Sequence, residues 1–171
     1  MIFWSRPLLE IERQFVIQHF GASLNRVIPS LRLYVRRVGD TRRALSMNGG
    51  RISMPKACFV GGNPRQSLQL QHPLIAGLFA HELLHQWQRL QGMAVTRQAA
   101  WLQAKAVCLR TDPYAYATCA DPAAMLNQFL AAQVEQQGQI WQDYVSACVA
   151  GQLPEHMQQV AAYVKGEKSE S

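Results

Sequence analysis

The run Gly61-Gly62-Asn63-Pro64 divides the sequence into two parts with different secondary-structure patterns. Before this run, the segment LRLYVRRV at 31–38 alternates apolar and polar side chains, which predicts a half-buried strand. Residues 44–55 form two short alternating segments on either side of Asn48-Gly49-Gly50, a composition typical of a hairpin turn. After the run, the pattern is helical almost to the end of the chain. The sequence therefore predicts an α+β fold, with a short antiparallel sheet followed by a mostly helical C-terminal part.

Apolar residues at helical spacing also occur ahead of the sheet. The predicted helices cover residues 6–20, the segment between Pro73 and Gly92, and residues 96–108, 121–148 and 154–165. Proline just inside a helix start and glycine just past its end delimit the second of these helices. No repeat or linker interrupts the chain, so a single domain is expected over residues 1–165, with a flexible tail at 166–171.

Composition and charge limit the class of protein. Hydrophobic residues make up 49% of the chain and charged residues 16%, as in a soluble globular protein. The longest apolar stretches, such as 74–79, are far shorter than the roughly 18 to 20 residues that a membrane span needs, so no span is predicted. The net charge is +6. Part of the excess lies in Arg32, Arg36, Arg37, Arg42 and Arg43. These arginines predict a basic face, but no basic run with interleaved aromatic residues accompanies them, so nucleic acid is not an expected partner.

The N-terminus and the cysteines bear on the cellular compartment. A short apolar opening before Arg6 lacks the continuous apolar region and cleavage site of a signal peptide, so the chain is expected in the cytoplasm of the cell that makes it. The four cysteines, Cys58, Cys108, Cys119 and Cys148, have no CxxC spacing and indicate no thiolate metal site. They are either buried thiols or two disulfides, and in an oxidising compartment Cys108–Cys119 is the favoured pair.

The helix between Pro73 and Gly92 contains His81-Glu82-Leu83-Leu84-His85, the HExxH pattern. Residues at i and i+4 lie on one face of a helix, so His81 and His85 can bind one zinc ion. Glu82 lies beside that face and can act as the general base that takes a proton from a water molecule at the metal. A pair of core histidines satisfied by hydrogen bonds is the alternative. The apolar flanks and the helical context favour the metal site.

A catalytic zinc site needs a third protein ligand and an open fourth position. The extended pattern HExxHxxGxxH is excluded, because Gln88 and Gln91 stand where it requires Gly and His. Downstream of His85, the carboxylate and imidazole candidates before the tail are Asp112, Asp121, Glu135, Asp143, Glu155 and His156.

Local sequence context separates these candidates. Asp112 and Asp121 precede prolines and resemble helix caps, while Glu155 and His156 follow Pro154 in a first helical turn. These four are therefore less favoured as ligands.

Glu135 differs from them because it lies in the middle of the predicted helix 121–148. The small residues around it, Ala131, Ala132 and Gly138, would let this helix approach the metal helix closely. Glu135 is therefore the predicted third ligand, and an exposed helix glutamate is the alternative.

Three more residues are candidates for supporting roles. Asp143, two turns after Glu135, is a possible partner for a histidine N–H. Tyr114 and Tyr116 are possible hydrogen-bond donors to the oxyanion of the transition state, with buried aromatics as the alternative, and Tyr116 is assigned with Glu82 to the catalytic set. The strand near 51–54 is expected to align an extended substrate by strand addition.

The segments LFAHELLHQWQRLQG and FLAAQVEQQGQIWQDY resemble the small zincin-type metallopeptidase domains associated with bacterial type VI secretion, including those fused to VgrG spike proteins. The resemblance covers roughly residues 15–145. In it, the two histidines and the glutamate of the first motif match His81, His85 and Glu82, and the glutamate of the second motif matches Glu135.

The resemblance implies a zinc-dependent antibacterial effector that acts in the periplasm of a competing cell. Its expected partners are a protein or peptide substrate, a secretion spike protein and a cognate immunity protein. Two other functions remain open from the sequence: a catalytically silent, zinc-stabilised binding or adaptor module, and a basic, DNA-associated metalloprotease, which would bind DNA with a steep salt dependence.

Overall fold

Strands come first in the chain and most helices follow, as the sequence predicts, and the α+β class is confirmed. The computed structural model describes residues 4–37, 39–109 and 112–167, with side chains outside 103–109. The strands within these ranges are β1 (Ser5–Pro7), β2 (Arg32–Val35), β3 (Leu45–Met47) and β4 (Arg51–Met54). The α-helices are α1 (Glu10–Phe20), α2 (Pro73–Leu90), α3 (Val95–Leu109), α4 (Pro122–Ala131), α5 (Val134–Val149) and α6 (Gln158–Lys165).

The four strands form one sheet in the order β1-β2-β4-β3. The predicted hairpin is confirmed, since β3 pairs antiparallel with β4, and Gly49 and Gly50 in its turn both have positive φ. The sheet is nevertheless mixed rather than antiparallel, because β2 pairs parallel with β4. The hairpin docks through β4, whose Ile52 and Met54 are fully buried, and leaves the more exposed β3 at the edge.

The position of β4 bears on substrate alignment. Because β4 is paired with β2 on one side and with β3 on the other, its backbone cannot accept an added strand, and the alignment predicted for 51–54 is wrong. The free edge of the sheet on this side belongs to β3, where Arg89 of α2 already donates to the Ser46 carbonyl at 3.1 Å.

Helix boundaries differ from the prediction at three places. The last helix begins at Gln158 rather than at residue 154, after a short 3-10 helix over Glu155–Met157. The first helix begins at Glu10 rather than near residue 6, because residues 5–7 pair with β2 and Pro7 biases the residue before it away from helix. The helix predicted over 121–148 is broken at Ala132 and Gln133 into α4 and α5. No proline or glycine signals this break. The Gln137 side chain stabilises it by donating to the Phe129 carbonyl near the end of α4, at 2.9 Å.

The core lies between the sheet and α2, with α1, α4, α5 and α6 around it. Its largest fully buried side chains are Trp141, Phe20, Phe59, Phe79, Phe129, Leu24, Leu31, Leu33, Ile52, Met54, Leu68 and Leu83. Helix α2 is buried along most of its length and packs most extensively against α5. No helix among the described residues is long and apolar enough to span a bilayer.

A buried ion pair joins the N-terminal segment to the loop before α2. Arg6 donates two hydrogen bonds of 2.6 Å to the two carboxylate oxygens of Glu12, and Glu12 is fully buried. The carboxylate also accepts from the backbone N–H groups of Leu9 and Leu68, at 2.8 and 2.9 Å. Every oxygen of the buried carboxylate is therefore satisfied, so loss of its charge leaves Arg6 unpaired.

We expect Glu12→Gln to lower the free energy of unfolding by about 3 kcal/mol, because the guanidinium of Arg6 would remain buried without its counter-charge. Urea denaturation measures this change. Glu10→Gln is the matched control two residues away, since Glu10 is exposed and bonds only to Gln14 among the described side chains, and it should change stability by less than about 0.5 kcal/mol. Equal effects of the two substitutions would contradict the assigned role of the buried pair.

Candidate metal centre

The close approach of α2 and α5 brings the predicted ligands together. Two glycines permit it. A Cβ atom at Gly138 would lie 2.6 Å from both Cε1 and Nε2 of His81, and one at Gly77 would lie 2.8 Å from the Gln142 carbonyl oxygen. Neither space can hold a methyl group without a shift of the neighbouring atoms. The expectation that a small residue at 138 lets the second helix approach the first is therefore confirmed.

The group that could hold a metal ion consists of His81, His85 and Glu135. Glu135 Oε2 lies 3.4 Å from His81 Nε2 and 3.8 Å from His85 Nε2, and one ligand atom from each residue lies within 4.8 Å of the others. Tetrahedral coordination with bonds of about 2.0 to 2.2 Å separates ligand atoms by roughly 3.3 to 3.6 Å. Each residue is 6% exposed. The three side chains thus fit one small cation with little movement.

Glu135 lies in the first turn of α5, not in the middle of a longer helix as predicted. The first turn favours a carboxylate, because the backbone N–H groups there are unpaired and carry partial positive charge. Burial alone would raise the pKa of Glu135, but the hydrogen bond with His81 and the nearby His85 hold it below its ordinary value. Glu135 therefore stays ionised, as a metal ligand must.

The two histidines differ in their affinity for a proton. Burial disfavours the charged imidazole of His81, yet the carboxylates of Glu135 and Glu82 raise its pKa above the ordinary value. Burial and the neighbouring His81 lower the pKa of His85 to about 4. The carboxylate of Glu135 thus favours a proton on His81, and a bound cation would compete with that proton.

A chain of buried glutamines orients His85. Its Nδ1 lies 2.8 Å from Oε1 of Gln88, whose Nε2 donates to Gln137 Oε1 at 2.8 Å and to the Val134 carbonyl at 3.0 Å. Gln137 in turn donates to the Phe129 carbonyl. Backbone carbonyls only accept hydrogen bonds, so these contacts fix which end of each amide donates and which accepts. Oε1 of Gln88 is therefore an acceptor, and Nδ1 of His85 must carry the hydrogen. Its Nε2 is left with a lone pair that points at the group.

The remaining predicted candidates lie elsewhere. Asp143 accepts from Tyr116 at 2.7 Å and from Gln139 at 2.8 Å, so the prediction that it holds a histidine N–H is wrong, and Gln88 has that role instead. Asp121 caps α4 by accepting from the Ala124 N–H, as predicted. Asp112, Glu155 and His156 are not part of the group.

Of the two tyrosines, only Tyr114 reaches the cavity above the metal group. Its ring centroid is 6.2 Å from that of His81. Tyr116, assigned to the catalytic set, lines a different cavity and bonds to Asp143, and burial and this carboxylate raise its pKa. The structure therefore brings His81, Glu82, His85 and Glu135 together and leaves Tyr116 outside.

Glu82 lies beside the ligand group but is not a member of it. It is 6% exposed, and it lines the floor of a cavity of about 600 Å³ with the three candidate ligands. Burial raises the pKa of Glu82, and after the opposing effects of His81 and of the Ser46 backbone amide it lies at about 7. A carboxyl group with this pKa exchanges protons near neutral pH.

Sequence reasoning missed three residues of the site. Gln88 follows His85 by three positions and so lies on the same helix face, a spacing that could have identified it. Arg43 and Ser46 also line the cavity, and they come from the edge strand β3 and the segment that leads into it. No local motif marks them, because their placement depends on the order of strands in the sheet.

The three cysteines whose side chains are described, Cys58, Cys119 and Cys148, contribute no ligand to the group. Cys58 is buried, and burial raises the pKa of its thiol. The thiol of Cys119 lies 2.9 Å from Oε1 of Gln128. The predicted Cys108–Cys119 pair involves the side chain of Cys108, which lies outside the described part of the chain.

Comparisons with protein-family models, with curated proteins and with solved structures find no match to this chain. The resemblance to zincin-type domains therefore rests on its sequence motifs, and the site is interpreted from its own chemistry.

We expect Gly138→Ala to lower zinc affinity at least about tenfold, because the new methyl group would displace the His81 ring from the ligand group. Isothermal titration calorimetry with zinc measures the affinity and thermal melting measures stability. Gly77→Ala is the matched control on α2, since it crowds Ser146 and Gln142 rather than a ligand. It should lower stability with a smaller loss of affinity. Equal zinc affinity in Gly138→Ala and the wild type would overturn this assignment.

Proposed function

We propose that this protein is a zinc-dependent metallopeptidase. The observation that carries the proposal is a buried ligand group of two histidines and one glutamate, with Glu82 beside it at the floor of a cavity. Three protein ligands and an open fourth position are typical of catalytic zinc sites, whereas structural sites have four. Zinc bound there would polarise a carbonyl group and make a water molecule nucleophilic near neutral pH.

Glu82 is the residue that we assign as general base. With a pKa of about 7, its carboxyl group can take a proton from the attacking water and return it to the leaving amine. The Ser46 amide and the charge of Arg89 both favour its ionised form and so prepare it to accept a proton.

A peptide is the substrate that the cavity suits best. Its volume of about 600 Å³ is enough for a few residues of an extended chain. Apolar side chains from α2 and α3 line one part of it: Leu78, Val95, Ala99 and Ala100. Hydrolysis of the bond would require the scissile carbonyl to lie between the ligand group and Glu82.

We further propose, from the resemblance of its two motifs, that the protein is an antibacterial type VI secretion effector that acts in the periplasm of a target cell. In this role its partners would be a protein or peptide substrate, a spike protein that delivers it and an immunity protein that blocks it. The ligand group is buried at the floor of a cavity, a position that suits inhibition by a protein that covers the cavity.

The central test compares Glu82→Ala with Glu135→Ala, each of which removes one buried carboxyl group from the floor of the same cavity. Glu82→Ala should keep one zinc per chain and lose cleavage of fluorescent casein by about 10²-fold or more, because only the proton transfer is removed. Glu135→Ala should lose zinc itself, because two histidines remain. Elemental analysis, melting temperature and casein cleavage are measured together on both variants and the wild type.

Two results would refute the proposal. Undiminished cleavage by a folded, zinc-loaded Glu82→Ala variant would show that Glu82 is not the general base. A wild-type protein that binds zinc but cleaves no protein or peptide would instead favour the silent, zinc-stabilised module.

For the effector role, we expect the chain with an added signal peptide to arrest growth of a bacterium, while cytoplasmic expression is tolerated. The reason is that the substrate would lie in the periplasm. Growth curves and colony counts measure the effect, with exported Glu82→Ala as the control for export of an inactive chain. Equal toxicity in both compartments, or in neither, would argue against a periplasmic target.

A further inference from the structure

The cavity is rich in arginine. Arg36, Arg42, Arg43 and Arg89 line it, against the three carboxyl groups of Asp40, Glu82 and Glu135. Glu82 and Glu135 lie at the floor, where a metal ion would offset their charge. Among the described residues, no carboxylate oxygen lies within 4.0 Å of any of the four guanidinium groups.

The exposed part of the cavity lining, which we call the rim, includes Asp40, Arg42 and Arg43. Asp40 is its only acid among the described residues, and it does not neutralise its neighbours. Its Oδ1 accepts from the backbone N–H of Arg42 at 3.0 Å, and its carbonyl accepts from the N–H of Arg43. Asp40 thus shapes the turn that presents the two arginines. Their positive charge remains available to a ligand in the cavity.

Arg43 and Arg89 are held in different ways. Arg89 donates from Nη1 and Nη2 to the hydroxyl and carbonyl oxygens of Ser46, at 2.8 and 3.1 Å, so it anchors the edge strand. Arg43 is exposed and donates to the Tyr114 hydroxyl at 2.5 Å, with its guanidinium carbon 5.9 Å from the centre of that ring. This contact occupies one of five N–H groups and orients the others.

The contact with Tyr114 also places Arg43 close to the metal group. The Tyr114 ring neighbours the His81 ring, so one aromatic ring separates the guanidinium from a candidate ligand. The charge of Arg43 also acts on Glu135, whose pKa it helps to lower. In an extended peptide, successive residues are about 3.3 Å apart, so a side chain one or two residues from the scissile bond can reach Arg43.

We propose that the rim is a subsite for a carboxylate, and that the enzyme selects peptides with aspartate or glutamate one or two residues from the scissile bond. Arg43 is the principal cation and Arg42 adds to the field. This inference rests on the proposed metallopeptidase function, because the metal group fixes the position of the peptide. An arginine with an oriented guanidinium plane binds a carboxylate through two parallel hydrogen bonds, which a neutral amide cannot reproduce.

Peptide hydroxamates test the subsite by binding rather than turnover, because a hydroxamate chelates an accessible metal ion. Two N-acetylated tripeptide hydroxamates are compared, which differ only in having Asp or Asn at the two residues next to the hydroxamate. Calorimetry on the zinc-loaded wild type should give about tenfold tighter binding of the Asp compound. Arg43→Gln should bring the Asp-to-Asn affinity ratio to within about twofold.

Arg51→Gln is the matched control. It removes the same charge from an exposed arginine that lies outside the cavity lining, and it should retain the tenfold ratio. Equal binding of the two compounds by the wild type, or a ratio that survives in Arg43→Gln, would overturn the subsite and leave the metallopeptidase standing. Failure of both compounds to bind zinc-loaded protein would overturn the proposed function and the subsite together.

Discussion

The close contact between α2 and α5 is the constraint on which the site depends. Each helix has a glycine where the other comes closest, Gly77 on α2 and Gly138 on α5. Glycine is unfavourable in a helix by about 1 kcal/mol relative to alanine, so two such residues in one interface weaken both helices in isolation. In return, the two helices pack closer together than a Cβ atom at either position would allow. That approach brings Glu135 within 4 Å of two histidines on a neighbouring helix.

Hydrogen bonds between buried amides help this contact to tolerate the polar side chains of Gln88, Gln137 and His85. The amide of Gln88 joins His85 to the first turn of α5, and Gln137 joins that turn to the end of α4. The break between α4 and α5 is part of the same arrangement. It brings the unpaired N–H groups of a helix start to the ionised Glu135, and the glutamine contacts satisfy carbonyls near both helix ends.

The sequence predicted the parts of the site that local spacing controls. His81, Glu82 and His85 follow from the periodicity of one helix, and Glu135 from eliminating carboxylates that cap other helices. The break before Glu135 and the parallel pairing of β4 were not predictable in this way, since both depend on contacts between segments far apart in the chain. No local signal in the sequence separates Tyr116 from Tyr114, since the two tyrosines lie in one loop. Tertiary packing places only Tyr114 beside His81.

The electrostatics of the cavity depend on two regions, a packed floor with buried carboxyl groups and an arginine-rich rim. At the floor, Glu82 and Glu135 are buried near each other, and each disfavours the ionised form of the other unless positive charge lies between them. In the metal-free chain, the positive charges of His81, Arg43 and Arg89 favour ionisation of these carboxyl groups. A divalent cation would favour ionisation of both carboxyl groups and would leave the charge of the rim arginines uncompensated. A ligand that brings its own carboxylate to the rim would then complete the balance of charge, so metal binding at the floor and anion binding at the rim should reinforce each other.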